Sequence, residues 1–429
     1  MKKLIITVIL ITASLLIAPK FIGNIVEQER EKSRVEFNKN EGISLTTEKY
    51  TRGWFGADVT SELTINLEGE GLANLTLHLE EEVSFGPVII TDNNWHIGLG
   101  YSAASFKVSA DEIDENIMTL INENIHLSAL LSFDRSATVF IETDKSNYET
   151  DDSTITVAPS LSEFTFSNNE HITGTFSWGG LEFNKSGERL VIGHIDMAAE
   201  QHVVSGDYLQ GTAILTGDTR LEIQSFDVYS HNNHAFSLND ASFISIVSLD
   251  DDLLTVTLKQ SAKEIMAAEQ RFNSLNLDIV LANIDINVLQ ELKPIMTEIS
   301  SSSPNEEPSK ETMYALSGLI EKLLIKKPNL KVTDLSVVTE EGKIMSELNV
   351  TINQDLFDVN NLNSMALVTA LNADAKGTVP LDFLAKFGIA AIVERFVVQG
   401  YLTKQEKNIN FDAQYVERQL TINGKAFQL

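Results

Sequence analysis

The chain has 429 residues, a formal net charge of −29 and no cysteine. That acidity argues against nucleic acid, whose phosphates need Lys and Arg contacts, and against purely electrostatic docking on anionic lipid. The missing cysteine excludes disulfides, thiol nucleophiles and a lipoprotein attachment site, so packed core alone must supply stability. At 43% hydrophobic residues the chain is rich enough to bury one or two such cores.

Met1-Lys2-Lys3 is followed by an apolar run from Leu4 to Ala18. A basic start before an apolar stretch reads as an export signal or signal-anchor. As a helix the run rises about 22 Å, short of the roughly 30 Å hydrocarbon core. No small-x-small pair marks a cleavage site: Leu16 stands two positions before Ala18, and Pro19 follows it. Phe21 to Val26 continues the apolar character past Lys20, a side chain long enough to snorkel. The expectation is an uncleaved signal-anchor over 1–26, with Lys2 and Lys3 on the cytoplasmic side and the rest outside the cytoplasm. A cleaved form is the alternative.

Glu27 to Lys32 reads as a charged, helical spacer. Period-two patterning then dominates. Leu63, Ile65 and Leu67 alternate with polar neighbours, as do Leu75, Leu77 and Leu79, and similar runs recur to Leu258. Polar breaks such as Asp92-Asn93-Asn94, Ser167-Asn168-Asn169 and His231-Asn232-Asn233 separate them. Short alternating runs between turns predict an antiparallel sheet with one wet face over 27–260.

The texture changes near Ser261, and Ala262 to Phe272 reads as helix-prone. Val288, Leu289, Leu292, Ile295, Met296 and Ile299 follow helical spacing. After a Ser/Pro/Glu break over 300–308, Met313, Leu316, Leu319, Ile320, Leu323 and Leu324 line a second helix. Lys326-Lys327 suit its C-terminal dipole, and Pro328 closes it. The pair predicts a helical hairpin packed over the sheet. Strands resume at Leu330–Thr339 and Ile344–Ile352. A helical region runs from Leu381 to about Lys404, and a hairpin joins Asn410–Tyr415 to Gln419–Phe427. The fold class is therefore α+β, mainly β: extended antiparallel sheet, continued through 261–429, with a helical hairpin and a C-terminal helix behind an N-terminal one.

Four patches stand out. In Tyr50-Thr51-Arg52-Gly53-Trp54-Phe55, Gly53 permits a sharp turn that Arg52 can hold by bonding carbonyls or a carboxylate. In Phe85-Gly86-Pro87-Val88 the Gly-Pro pair marks a turn or an edge. Gly179-Gly180, within Phe176 to Phe183, suggests a bulge or tight bend. Asn423-Gly424, within Leu420 to Lys425, is a hairpin-turn signal. All four read as fold determinants. Their order and spacing resemble the YdgA-like family of bacterial envelope proteins, a group without an established biochemical activity. That family often carries His-Gly-Pro at the second patch; Phe85 replaces the imidazole here, so no role for it transfers. The resemblance spans almost the whole chain. It implies a protein anchored in the bacterial inner membrane and facing the periplasm, with no catalytic residues to carry over.

Chemistry is sparse. There is no Gly-x-Ser-x-Gly elbow, dinucleotide fingerprint or phosphate loop. His231 and His234 flank a turn tip, and neither Asp250-Asp251-Asp252 nor Asp151-Asp152 has calcium-loop spacing. Trp54, Trp95 and Trp178 read as buried strand aromatics rather than a binding platform. No catalytic, cofactor-binding or metal residue is expected. The functional expectation is a non-enzymatic protein-binding or scaffolding role. The alternative is AsmA-like lipid handling in a groove of curved sheet lined by Leu75, Leu77, Leu79 and Val83. The partners are then the inner membrane, through the N-terminal helix, and an envelope protein or lipid, with no nucleic acid.

Overall fold

Alternating side chains commit most of this chain to strands, and polar turns fold each strand back on the last, so pairing is antiparallel. The computed structural model describes every residue except 1, 40–41, 67–74, 92–93, 110–121, 151, 168–169, 209–211, 232, 268–269, 302–308, 354–355, 357–367 and 428–429. For 2–13, 109, 297–298 and 300–301 only the backbone is described. Leu67, Asp151, the Asn168-Asn169 turn and most of the expected hairpin loop over 300–308 fall outside the described residues. The chain forms two compact units, Met1–Phe183 with His194–Leu215, and Asn184–Gly193 with Thr216–Leu429.

The first unit begins with α1 (Lys2–Phe37) and continues with β1 (Ile43–Arg52), β2 (Gly56–Ile65) and β3 (Leu75–Phe85). A separate ribbon of β4 (Val88–Ile90) and β5 (Trp95–Ile97) interrupts the sheet before β6 (Gly100–Ser109). Next come β7 (Ile125–Leu131), β8 (Ala137–Thr143), the small hairpin β9 (Ser146–Glu149) and β10 (Ser153–Val157), β11 (Ser160–Ser167) and β12 (His171–Trp178). The chain passes between units within β13 (Leu181–Lys185), and after β14 (Glu188–Ile192) the first unit closes with β15 (Ile195–Ser205). Antiparallel ladders link β1 to β2, β3, β6, β7, β8, β11, β12 and β15 in that order.

The core of this unit lies under α1. Val26 packs with Ala57, Val59, Val83, Phe85 and Leu99, flanked by Ile22, Ile25, Tyr50 and Leu131. Among the described side chains of α1, Pro19, Gly23 and Val26 are buried, on one face by their spacing. Each fully buried large side chain contributes about 1.5–3 kcal/mol. Gly23 is required where helix and sheet meet: a Cβ there would sit 2.7 Å from both the Arg52 Nη2 and the Phe85 ring. The Glu27–Lys32 stretch is not a spacer. It is the sheet-packed continuation of α1, because Arg30 finds a carboxylate partner on β3. Among the described residues no helix is long and apolar enough to cross a membrane.

The second unit carries longer strands: β16 (Ile214–Ser230), β17 (Asn233–Asp250), β18 (Leu253–Ala267) and β19 (Gln270–Asp285). Ladders join β14 to β16 and run on through β17, β18 and β19 to β20 (Asn329–Thr339), β21 (Gly342–Ile352) and β22 (Leu371–Pro380). Where helix was expected over 262–272, the described residues, 262–267 and 270–272, are strand instead. Ala262 is buried between Ala241 of β17 and Leu275 of β19, and ladders on both sides outweigh the local helix propensity of Ala, Lys, Glu and Met. The region after Leu381 also differs. It breaks into α4 (Leu381–Lys386) and α5 (Ala390–Val398) at Gly388, whose φ is +72°, and yields to β23 (Thr403–Gln405) before Lys404. β24 (Asn408–Val416) pairs with β22, with β23 and with β25 (Gln419–Ile422). Asn423-Gly424, both at positive φ, then turns the chain into β26 (Lys425–Phe427), so the last arm is itself a hairpin.

Between β19 and β20 lie α2 (Ile286–Ser301) and α3 (Lys310–Ile325), tied by a Lys322–Glu291 ion pair at 2.6 Å. Asp285 starts this helical hairpin. Its Oδ1 accepts the Asn287 amide at 2.9 Å, and its Oδ2 lies 3.3 Å from Lys326 Nζ at the end of α3. Burial pushes this carboxyl up, but the Asn287 amide and the Lys326 ammonium outweigh it and hold it below the usual carboxylate range. A carboxyl lowered on folding stabilises fully above its unfolded value and loses that contribution as pH falls through its folded one. Asp285→Ala should therefore cost about 1–2 kcal/mol at neutral pH, as a lost helix cap does. The gap to wild type should close as the medium is taken below about pH 4, near the unfolded carboxyl value. Urea titrations at several pH values read this; a gap that persists into strong acid would contradict it.

Candidate functional site

The first sequence patch converges on α1. The β1–β2 turn closes with the Gly53 amide bonded to the Gly56 carbonyl at 2.8 Å, which leaves Arg52 and Trp54 beside the helix. Arg52 reaches α1 rather than its own turn. Its guanidinium donates to the Lys20 carbonyl at 2.6 Å, to Asn24 and to Glu27 at 3.1 Å, and lies 5.5 Å from the Phe85 ring centre. The Trp54 indole donates to the Leu16 carbonyl at 2.8 Å, and Lys20 sits 4.9 Å over the same ring. Gly86 and Pro87 stand next to Phe85, where the chain leaves β3 for the ribbon; the Gly86 amide bonds the Leu99 carbonyl at 2.8 Å.

Tyr50 sits on the same side, with its hydroxyl buried and without a hydrogen-bond partner among the described residues. Burial and the neighbouring Glu27 charge raise its pKa. It borders an open cleft of about 630 Å³ lined also by Asn24, Glu27, Arg30 and Glu31. One turn further along α1, Arg30 grips Glu81 of β3 with both nitrogens, at 2.6 and 2.7 Å, and Ser61 at 3.1 Å. Sequence reasoning missed this pair, because its members are 51 residues apart and only the register joins them. The guanidinia are occupied by protein acceptors, so the arrangement clamps a helix to a sheet.

The remaining positions lie elsewhere. Gly179 and Gly180 form the β12–β13 turn, where the Gly180 carbonyl accepts the Ala158 amide at 2.9 Å and Trp178 donates to the Ala158 carbonyl at 3.1 Å. Leu75, Leu77, Leu79 and Val83 share one face of β3. Leu77 is flanked by Leu63 and Val108, and Leu79 by Ser61 and Phe106. Val83 is only 5% exposed beneath α1, so that end of the face is filled. Two of the three tryptophans correct their expectation, while Trp178 is half-buried in β12. Trp54 is 49% and Trp95 66% exposed, because both sit in connections at the end of the sheet rather than within its ladders.

A family model described as "Bacterial protein of unknown function (DUF945)" matches residues 1–429. The chain belongs to this family. The YdgA-like resemblance agrees with that membership. No curated protein and no solved structure matches the chain.

One group of possible metal donors occurs among the described residues of this DUF945 member. His171 on β12 and His202 on β15 are cross-strand partners, and Glu200 lies on the same face. Two imidazoles and a carboxylate suit zinc. Their ligand atoms, however, span up to 4.8 Å, and the rings stack face to face at 4.4 Å. Bonds of about 2.1 Å would need donors roughly 3.4 Å apart and aimed at one point. We assign no cation site to this group.

Proposed function

We propose that this protein is a non-enzymatic scaffold of the bacterial cell envelope. α1 holds it in the inner membrane, and its acidic β units stand in the periplasm to bind a protein partner. One observation carries the reading. α1 is a single helix in which, among the described side chains, the sheet-packed face begins at Pro19, while the apolar run Leu4–Ala18 lies N-terminal to it. The half with a sheet to bury against uses it; the other half needs an apolar environment of its own. A periplasmic site also suits a chain without cysteine and with a net charge of −29, which disfavours nucleic acid. In the second unit Leu281 and Leu330 pair across strands, and both are exposed, an apolar spot open to a protein partner. Lipid handling along Leu75, Leu77 and Leu79 is the other reading, and the helix packed on Val83 counts against an open groove there.

Alkaline phosphatase fused after Leu429 should be active, and carbonate washing should leave the protein in the membrane fraction. An inactive fusion, or a mature chain starting near Pro19, would sink the anchor. Native mass spectrometry of detergent-extracted protein should then find a co-purified polypeptide; bound lipid in its place would favour the carrier.

A further inference from the structure

The β4–β5 ribbon turns an entirely apolar face outward. Val88 pairs with Ile97 and Ile90 with Trp95, and all four are exposed, Ile90 at 81%. The opposite face is anchored: Ile89 is buried, and His96 stacks on Tyr101 with ring centres 4.5 Å apart. The exposed face is thus held in a fixed orientation. A monomer gains nothing from displaying four such side chains together.

Two neighbours extend this surface. The β1–β2 turn carries exposed Trp54, and its Phe55 carbonyl accepts the Phe85 amide at 2.7 Å beside the ribbon's base. The β7–β8 turn carries exposed Phe133, and the Leu131 carbonyl just before it accepts the Leu99 amide at 2.7 Å. All three connections therefore lie at one end of the first unit's sheet. α1 runs out past this same end, where Trp54 bonds to Leu16 and Arg52 to Lys20. Leu15, Leu16, Ile17 and Phe21 are exposed where it departs.

The local charge differs from the rest of the molecule. Between Val83 and Lys107 the only acidic residue is Asp92, in a chain of net charge −29. Asp134, next to Phe133, turns its carboxylate back onto the Ser136 amide at 3.0 Å and hydroxyl at 2.7 Å. Lys20 supplies a cation over Trp54, while Arg52 beside it is paired with Glu27.

We infer that this end of the first unit, led by Val88, Ile90, Trp95 and Ile97, lies in the headgroup layer of the bilayer that α1 enters. The inference rests on the reading of α1 as a lipid anchor. Tryptophan favours that layer because its ring is apolar and its N–H polar. An apolar face there reaches roughly 5–10 Å, to the acyl boundary. The helix already holds the ribbon near the lipid, which raises its effective concentration there, so the surface fixes the orientation of the sheet against the membrane rather than recruiting the protein to it.

The test uses full-length protein in phosphatidylcholine/phosphatidylglycerol vesicles whose acyl chains carry bromine near the carbonyl end. Trp54→Phe with Trp178→Phe leaves Trp95 as the sole emitter; Trp54→Phe with Trp95→Phe leaves Trp178. Brominated vesicles should quench Trp95 emission by roughly half and leave Trp178 within about 10% of its value, as expected for one ring in the interface and one outside it. Protein that floats with the vesicles while Trp95 stays unquenched overturns the inference and spares the anchor; a second copy or a protein partner then covers the ribbon. Protein that does not float overturns both. Should the emission variants fail to fold, Ile90→Asp in the three-tryptophan background replaces them. That position is open to solvent, so the fold should tolerate a carboxylate, and bromine quenching of total emission should drop at least about twofold as the ribbon lifts away. Unchanged quenching would again count against the inference.

Discussion

Glu81→Ala should lower the unfolding free energy of the first unit by about 3–5 kcal/mol, the usual cost of breaking a largely buried ion pair from one side. Glu81 is 10% exposed and receives both Arg30 nitrogens together with the Ser102 hydroxyl at 3.2 Å. Without it the guanidinium keeps only Ser61 and remains over the sheet. The open cleft beside Arg30 offers the freed side chain a way to water, which sets the lower end of the range. The double variant Arg30→Met/Glu81→Met should be the milder one, because neither charge is then left alone. Trp54, Trp95 and Trp178 all belong to the first unit, so fluorescence-detected denaturation reports this unit alone. A single variant as stable as wild type would show that the pair does not hold α1 down.

Gly86→Ala should be at least as damaging. A Cβ there would stand 1.7 Å from the Gly98 carbonyl oxygen and 3.3 Å from that of Leu99. Both obstacles are backbone, so neither can rotate away. Gly86 is also held by its own bond to Leu99, between the buried side chains of Phe85 and Leu99. Any shift that admits the methyl opens that core or detaches the ribbon. Overpacking typically costs about 1–3 kcal/mol, and a 1.7 Å approach to backbone places this case at or above the upper end. Gly53→Ala is the comparison. Its Cβ would approach only the Gly56 carbonyl, at 3.3 Å, and a loss below about 1 kcal/mol is expected. Equal losses at the two glycines would mean that the close approach at Gly86 does not govern stability.

The ribbon shows where reading the chain linearly stopped. Val88 to Ile90 and Trp95 to Ile97 look like any short apolar run, and buried strand is the ordinary fate of such runs. They lie outside the main ladders because Gly86 and Gly98 pinch the chain at the ribbon's base. Arg52 is a similar case. Its neighbours in sequence suggest a turn, but its acceptors lie 25 to 32 residues away on α1.

What the sequence determined by itself is what depends on near neighbours. Period-two alternation is a property of a few adjacent residues, so the strand residues from Leu63 to Ile65 and from Leu75 to Leu79, and those within Leu221 to Ser225 and Ile244 to Leu258, were legible as extended segments. So were the two helices after Asp285, the turn at Asn423-Gly424, the missing thiols and the apolar start. Tertiary structure alone decided which partner each segment meets. Ala262 to Ala267 became strand because β17 and β19 offered ladders on both sides, and those hydrogen bonds outweigh a helix preference of a few tenths of a kcal/mol per residue. The Arg30–Glu81 clamp, the filled end of the β3 face and the exposed tryptophans likewise arise from register between distant strands, which no local period encodes.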